Sequence, residues 1–281
     1  MIFNQVKTAI LLGALAGVLL LVGWLIGGIQ GLAIGLVFAV CINFVSFWFS
    51  DKIVLAMYRA RKLEESDAPG LHAIVEEVAE EAKIPKPKVY LIPTDNANAF
   101  ATGRSPKKGV VAVTTGILKI LSQKELKGVL AHEISHIKHR DTLIQTVAAT
   151  VAAVISYVAF IARWAAIFGT RDRDGGGLFH LLALAILTPL IAMVLQLAIS
   201  RSREYLADER AAKLIGDAEP LASALIKIDE NVKSHPLRFG NKTTSSLFIA
   251  NPFSGRSLFA LFSTHPPMKK RVEKLRAMKV Y

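Results

Sequence analysis

The sequence predicts a mainly helical α+β integral membrane protein, with about four transmembrane helices and a polar domain that contains a small β-sheet. Three observations favour this fold class. The 281 residues are 52% hydrophobic, more than is usual in a soluble domain. Residues 8–50 contain no Asp, Glu, Lys, Arg or His, and about 20 such residues span a bilayer. Two further apolar blocks, residues 142–162 and 181–200, are separated from the first by a long polar segment.

The charge-free residues 8–50 are long enough for two membrane spans. The glycine-rich break at residues 27–31 predicts the tip between them, because glycine tolerates turn geometry and interrupts a helix. A secretory signal is the alternative interpretation, since Lys7 precedes an apolar run. That run is longer than the usual signal core of about 7 to 15 residues and continues into a second apolar stretch. We therefore expect an N-terminal transmembrane hairpin over residues 1–50.

A second transmembrane or membrane-associated hairpin is expected over residues 142–200. Its connector carries Arg163, Arg171 and Arg173 beside two aspartates, although positive charge normally favours the cytoplasmic side. A buried helical hairpin, or one that lies in the interface, is therefore an open alternative. The polar segments, residues 51–141 and 201–281, are expected to form the cytoplasmic part of the protein.

The net charge of +12 raises the question of nucleic-acid binding. The basic residues do not form an aromatic-interleaved patch, so we expect no nucleic-acid partner. They cluster next to the apolar segments, where anionic lipid attracts them, and the predicted hairpin tip is uncharged; both features place the termini and the polar domain in the cytoplasm. The lone Cys41 excludes a disulfide framework and fits a reducing compartment. The clustered residues are Lys52, Arg59, Arg61, Lys62, Arg140, Arg201 and Arg203.

The polar part alternates between helical and strand patterns. The clearest helix start is Ser122 to Glu125, which has the form of a capping box. The pattern after it lets this helix run past Asp141. Further helices are expected at 71–82, 220–232 and 267–278, strands at 89–92, 96–101 and 110–114, and a loop at 234–263.

The chemistry is expected at His132-Glu133-Ile134-Ser135-His136. Positions i and i+4 share one face of a helix, so both imidazoles can bind one Zn²⁺. Glu133 then acts as a base, which takes a proton from water whose pKa the metal lowers to about 7. This pairing predicts hydrolysis of peptide bonds. The alternative is a histidine pair that merely lines a helix surface.

A catalytic zinc ion needs a third protein ligand. His139 lies on nearly the same helix face but a full turn away. A ligand ten residues after the first histidine would be Thr142, which cannot bind zinc in this role. Glu204 follows the apolar block at residues 181–200 by four residues, and His136 precedes the block at residues 142–162 by six. A helical hairpin would therefore bring both to one membrane face. Asp208, one turn after Glu204, can orient a ligating histidine. A surface ion pair with Arg201 or Arg203 is the alternative role for Glu204.

These motifs, in this order, resemble the HtpX membrane metalloproteases, which are relatives of the CaaX prenyl endopeptidases. The resemblance covers nearly the whole chain and includes Asp141 and His265-Pro266. It implies a zincin-like domain of the gluzincin type, with one Zn²⁺ held by His132, His136 and Glu204 and with Glu133 as the base. It also implies quality control of membrane or misfolded proteins in a bacterial inner membrane, with polypeptide substrates.

The resemblance also suggests substrate-binding residues. Asn98, Ala99 and Phe100 match the family's substrate-side segment, and a strand edge can pair with an extended peptide; an ordinary buried strand is the alternative. His265 or Arg271 could polarise the scissile carbonyl or its oxyanion, although His265-Pro266 is equally a helix start. The sequence does not predict the oligomeric state.

Two other functions are consistent with the same motifs. One is a membrane chaperone or scaffold with a structural zinc ion, which would have no need of Glu133. The other is a prenyl-protein endopeptidase, but those enzymes form a larger, seven-span chamber, whereas this chain offers four spans at most.

Overall fold

The computed structural model describes residues 2–147, 201–253 and 266–278. These residues are mainly helical and include one small mixed sheet, as the fold class predicted. Most of the predicted second hairpin lies outside the described residues, and so does His265. The count of four transmembrane helices is therefore not shown.

The apolar N-terminal segment is helical from Ile2 to Met57 (α1) and reverses direction near its middle. Gly28 has a φ of +55°, in the left-handed region that favours glycine. The Asn43 side chain donates to the Leu12 carbonyl at 3.0 Å, whereas a straight helix would separate these residues by about 46 Å. A Cβ on Gly35 would lie only 2.6 Å from the Leu19 carbonyl oxygen. The reversal lies inside the predicted glycine-rich break.

One helix among the described residues is long and apolar enough to cross a membrane. It is the second arm of α1, Gly28–Met57, with 30 residues and a mean hydropathy of 2.3. Its large apolar side chains lie on the surface: Ile29 is 79% exposed and Val37 is 64% exposed. So much exposed apolar area on one element is typical of a surface that contacts lipid or another protein.

The sheet has four strands, β1 (Arg61–Lys62), β2 (Lys88–Ile92), β3 (Ala99–Thr102) and β4 (Val110–Thr114). Their order in the sheet is β1-β2-β4-β3. β2 and β4 are parallel, and the outer strands pair with them antiparallel, so β3 lies at an edge. β2 and β4 lie at the predicted segments, and β3 overlaps the predicted segment 96–101 without its first three residues. β1 is too short to leave an alternating pattern.

One central helix connects the sheet to the other helices. This helix, α4 (Gln123–Lys138), packs against α2 (Pro69–Glu81), α5 (Arg201–Ile215), α6 (Glu219–Ser234) and the strands. Its Val129, Leu130 and Ile134 side chains are fully buried. Lys242–Leu247 forms a 3₁₀ helix inside the segment predicted as loop. A second 3₁₀ helix, Pro106–Lys108, precedes β4. The remaining helices are α3 (Thr115–Ile120) and α7 (Met268–Ala277).

The prediction that α4 runs past Asp141 is wrong. The helix ends at Lys138, and Arg140 adopts a left-handed φ of +58° before the chain becomes helical again at residues 141–147. A left-handed residue ends an α-helix because its carbonyl and amide leave the helical direction. The resulting turn carries Asp141 back towards His136.

The start of α4 is held by the predicted capping box. Glu125 accepts from the Ser122 amide at 2.8 Å, and it also accepts from Lys227 and Ser223 of α6 at 2.8 and 2.7 Å. Burial opposes ionisation of Glu125, but the hydrogen bonds from Lys227, Ser223 and Ser122 outweigh it and lower its pKa to about 2. The ionised Glu125 therefore joins α4 to α6.

We expect a Glu125→Gln variant to unfold at a lower temperature than the parent at pH 7, because the amide cannot replace every acceptor contact. The folded-state pKa lies below the ordinary value of 4.5. The stabilisation is therefore complete above that ordinary value and is lost as the pH falls towards 2. Thermal unfolding of both proteins between pH 7 and pH 2.5 should show a shrinking difference. A difference that stays constant would contradict the assignment.

Candidate metal centre

Two histidines of α4 point their Nε2 atoms at one another in the protein interior. His132 is 1% exposed and His136 is 4% exposed, and their Nε2 atoms lie 3.2 Å apart. The helical spacing of four residues places both rings on one face of α4.

Glu204, in the first turn of α5, completes a triangle with these nitrogens. Its Oε2 lies 3.6 Å from His132 Nε2, and its Oε1 lies 3.6 Å from His136 Nε2. All three ligand atoms fall within 4.8 Å of one another. A tetrahedral ion with bonds of 2.0 to 2.1 Å separates its ligands by about 3.4 Å. The three side chains therefore fit a single ion with its fourth position open.

Two further carboxylates lie next to the Nδ1 atoms of the histidines. Asp208 Oδ1 lies 2.9 Å from His132 Nδ1, and Asp141 Oδ2 lies 3.3 Å from His136 Nδ1. These contacts favour a proton on each Nδ1 and leave a lone pair on each Nε2. Two lone pairs and the Glu204 carboxylate then face one another, and these groups repel unless a proton or a metal ion lies between them.

The charges around His132 lead to the same conclusion. Burial alone would lower its pKa, but Asp208 and Glu204 outweigh burial and raise it to about 9. The centre therefore favours positive charge, and imidazole with carboxylate is a donor set that suits zinc.

Arg271 of α7 stands behind Asp208. It is fully buried, and its Nε and Nη2 donate to the two Asp208 oxygens at 2.8 and 2.6 Å. Its Nη1 donates to the Ile249 carbonyl at 3.0 Å. Burial opposes ionisation of Asp208, but Arg271 outweighs it and holds the pKa below its usual range. These hydrogen bonds hold Asp208 and Ile249, and Arg271 Nη1 also lies 3.9 Å from Glu204 Oε2. Arg271 therefore orients the partner of His132 and contacts the Glu204 carboxylate.

Glu133 lies beside the three candidate ligands and is 2% exposed. Burial raises the pKa of its carboxyl group. A cavity of about 10 Å³ touches Glu133 and the three ligand side chains, which is room for about one water molecule. Gln145 and Ser246, which the sequence did not single out, also line it.

The cavity is small because residues 246–250, here called the covering segment, lie across it. The Ile249 amide donates to the Ala99 carbonyl at 3.0 Å, at the free edge of β3. The Asn98 side chain donates to the Ala250 carbonyl at 2.8 Å. The Phe248 ring packs on Phe100 with centroids 5.1 Å apart. The edge that was predicted to bind substrate thus pairs with a segment of the same chain.

The comparisons with known proteins agree with this geometry. Residues 65–279 match Peptidase family M48. The chain belongs to this family. It is 55% identical to a "Protease HtpX homolog" of Pyrococcus furiosus, over 96% of this chain and 94% of that protein. It is 49% identical to a protein of the same description from Syntrophobacter fumaroxidans, over 98% and 99% of the two chains.

A solved structure supports the fold. The crystal structure of S. mikatae Ste24p superimposes with a TM-score of 0.53 at 20% identity and covers 98% of this chain and 66% of that one. At this identity the likeness concerns the fold alone. Family membership makes the chain a membrane-associated metalloprotease and confirms the resemblance seen in the sequence. Membership of a peptidase family therefore favours an enzyme over the alternative of a non-enzymatic membrane chaperone or scaffold.

Asp141 offers a test of the tautomer argument. We expect Asp141→Asn to weaken zinc binding by about 10- to 100-fold, because the amide no longer fixes the proton on His136 Nδ1. Competition with a chromogenic chelator measures this affinity. Asp229→Asn is the matched control, since Asp229 pairs only with exposed Lys233 among the contacts described. Equal affinities for the two variants would contradict the role of Asp141.

Proposed function

We propose that this chain is a zinc endopeptidase in which His132, His136 and Glu204 hold the ion and Glu133 is the general base. The main support for the proposal is the convergence of three side chains: the two histidine Nε2 atoms lie 3.2 Å apart, and each lies 3.6 Å from one oxygen of the Glu204 carboxylate. Asp141 and Asp208 orient the two histidines, and Glu133 shares a water-sized cavity with the ligands.

Glu133 carries the proton through the reaction. Bound zinc supplies a Lewis acid that polarises the scissile carbonyl and makes water more acidic. The Glu133 carboxylate accepts a proton from the attacking water, whose oxygen bonds to the carbonyl carbon. When the C–N bond breaks, Glu133 returns this proton to the leaving amine nitrogen. Burial, which raises the pKa of Glu133, strengthens it as a base.

The covering segment indicates how a substrate would lie. The Ile249 amide, in a bend of the covering segment, already donates to the Ala99 carbonyl, while Phe248 fills the space against Phe100. A polypeptide in the same position would gain the same edge contacts once the covering segment moves aside. We therefore infer that substrates bind as extended strands along Asn98 to Phe100, and that Arg271 or His265 polarises the scissile carbonyl or its oxyanion.

The location of the site supports membrane proteins as substrates. Tyr58, directly after α1, packs on Phe248 with ring centroids 4.7 Å apart, so the covering segment contacts the end of the candidate membrane span. The catalytic part and both termini would lie in the cytoplasm of a bacterial inner membrane, next to anionic lipid. There the enzyme would cut membrane or misfolded proteins in quality control.

The substrate class can be tested with the zinc-loaded full chain in liposomes. The substrate is a single-span protein with an unfolded cytoplasmic tail, compared with the same tail free in solution. We expect cuts in the tail of the anchored protein, loss of cutting with 1,10-phenanthroline, and recovery after added zinc. Absence of cutting in both substrates, with zinc bound, would refute the proposed activity. Faster cutting of the free tail would refute the preference for membrane proteins.

The topology has its own test. Reporter fusions at Asp172 and at Tyr281 should fall on opposite sides of the membrane if residues 142–200 cross it twice. Reporters on the same side would contradict a spanning second hairpin, whatever the enzymatic activity.

A further inference from the structure

A second pocket lies where α1 meets the sheet, and it shares no lining residue with the metal centre. Its volume is about 490 Å³, within the range of small-molecule sites. One wall is aromatic and comes from α1: Phe44, Trp48 and Phe49. These rings are 56, 46 and 39% exposed. We call this cavity the aromatic–basic pocket.

The opposite wall is positively charged. Five basic side chains line the pocket, and Asp51 is the single acidic residue among its lining residues. Among the described residues, none of the five forms a salt bridge. Their positive charge is therefore available to an anion. The five are Lys52 of α1, Lys88 of β2, and Arg104, Lys107 and Lys108 between β3 and β4.

The pocket lies at the level where a membrane surface is expected. About 20 residues cross the hydrocarbon core, so a span that starts at Gly28 reaches the interface near Trp48. The first charged residues of α1 after this stretch are Asp51 and Lys52. Tryptophan at the end of a span is typical of the headgroup region.

Arg104 indicates the chemistry of the ligand. Its guanidinium carbon lies 4.2 Å from the centroid of the Trp48 ring. Its Nη1 is buried and has no hydrogen-bond partner among the described residues. Buried donors in folded proteins normally have an acceptor, and phosphate oxygens are favoured acceptors for a guanidinium.

We propose that the aromatic–basic pocket binds the phosphate headgroup of an anionic phospholipid. Arg104 and the lysines hold the phosphate, and the acyl chains lie along Phe44 and the exposed apolar face of α1. A soluble anion would use the basic wall alone, whereas a lipid uses both walls. The proposal rests on the membrane insertion of α1 stated above, but not on the protease chemistry.

The test is a titration of the zinc-loaded full chain in a nonionic detergent. Dioctanoyl phosphatidylglycerol is the probe, dioctanoyl phosphatidylcholine the neutral lipid, and inorganic phosphate the soluble anion. Native mass spectrometry counts bound lipid, and thermal unfolding reports its stabilisation. The variant is Arg104→Gln with Lys107→Gln and Lys108→Gln. The matched control removes three charges elsewhere: Lys124→Gln, Lys213→Gln and Lys233→Gln.

We expect the parent and the control to bind one phosphatidylglycerol with similar affinity, and the pocket variant to bind it at least about tenfold more weakly, because each cation near a membrane surface contributes to lipid attraction. Zinc content should stay equal in all three proteins, which shows that the metal centre is intact. Equal lipid affinity of the variant and the control would overturn the proposal. So would equal binding of phosphatidylcholine, or the same stabilisation by inorganic phosphate.

Discussion

A Glu133→Gln variant should lose at least about 10²-fold in kcat while it keeps its zinc and its fold. Glutamine has nearly the same shape, but it cannot accept the proton of the attacking water. Because Glu133 is not one of the three proposed ligands, the ion should bind as in the parent. The rate of cleavage of a fluorogenic peptide and the zinc content of the same sample provide the two measurements.

Glu209→Gln is the matched control, because Glu209 lies on α5 near the ligand Glu204 but pairs with Lys213 on the surface. It should retain parental kcat and zinc. If Glu133→Gln instead cleaves within about tenfold of the parent, a general base worth 10²- to 10⁴-fold is excluded at this position.

Replacing Arg271 by methionine should destabilise the protein by about 3 to 5 kcal/mol, because Asp208 would remain buried without its charge partner. Asp208 is 3% exposed and takes two hydrogen bonds from Arg271. The free energy of unfolding of the full chain, measured in detergent with denaturant, gives this value. Zinc affinity should fall as well, since Asp208 orients His132.

Arg276→Met on the same helix is the control, because Arg276 pairs with Glu219 on the surface. We expect little change in its unfolding. A double variant, Arg271→Met with Asp208→Asn, should recover part of the stability that the single variant loses, because it removes the buried charge as well. Equal stability of Arg271→Met and Arg276→Met would contradict the buried pair.

The local parts of the site could be predicted because they depend on short spacings. His132 and His136 lie four residues apart, and the Ser122–Glu125 capping box fixes the helix that carries them. The positions of β2 and β4 could be predicted in the same way, because each strand is a short apolar run. Glu204 was harder, because its closeness to His136 depends on how distant helices pack.

The parts that could not be predicted depend on contacts between distant residues or on a single backbone angle. The pairing of Ile249 with Ala99 joins residues 150 positions apart and leaves no periodic pattern. The sequence indicated Asp208 as a partner of a histidine and Arg271 as a group near the carbonyl, but not that the two form a buried ion pair across 63 positions. The turn that brings Asp141 to His136 depends on the left-handed Arg140, a conformation that is uncommon outside glycine and asparagine.

The most direct test of the zinc site is metal analysis of the purified full chain beside its Glu204→Ala and Glu209→Ala variants. We expect one zinc ion per chain in the parent and in Glu209→Ala, and zinc affinity weaker by more than about 100-fold in Glu204→Ala, since a ligand matters more than the groups behind it. Circular dichroism of each sample checks the fold. A parent that binds no zinc, or a folded Glu204→Ala variant that binds it as tightly as the parent, would contradict the proposed metal centre.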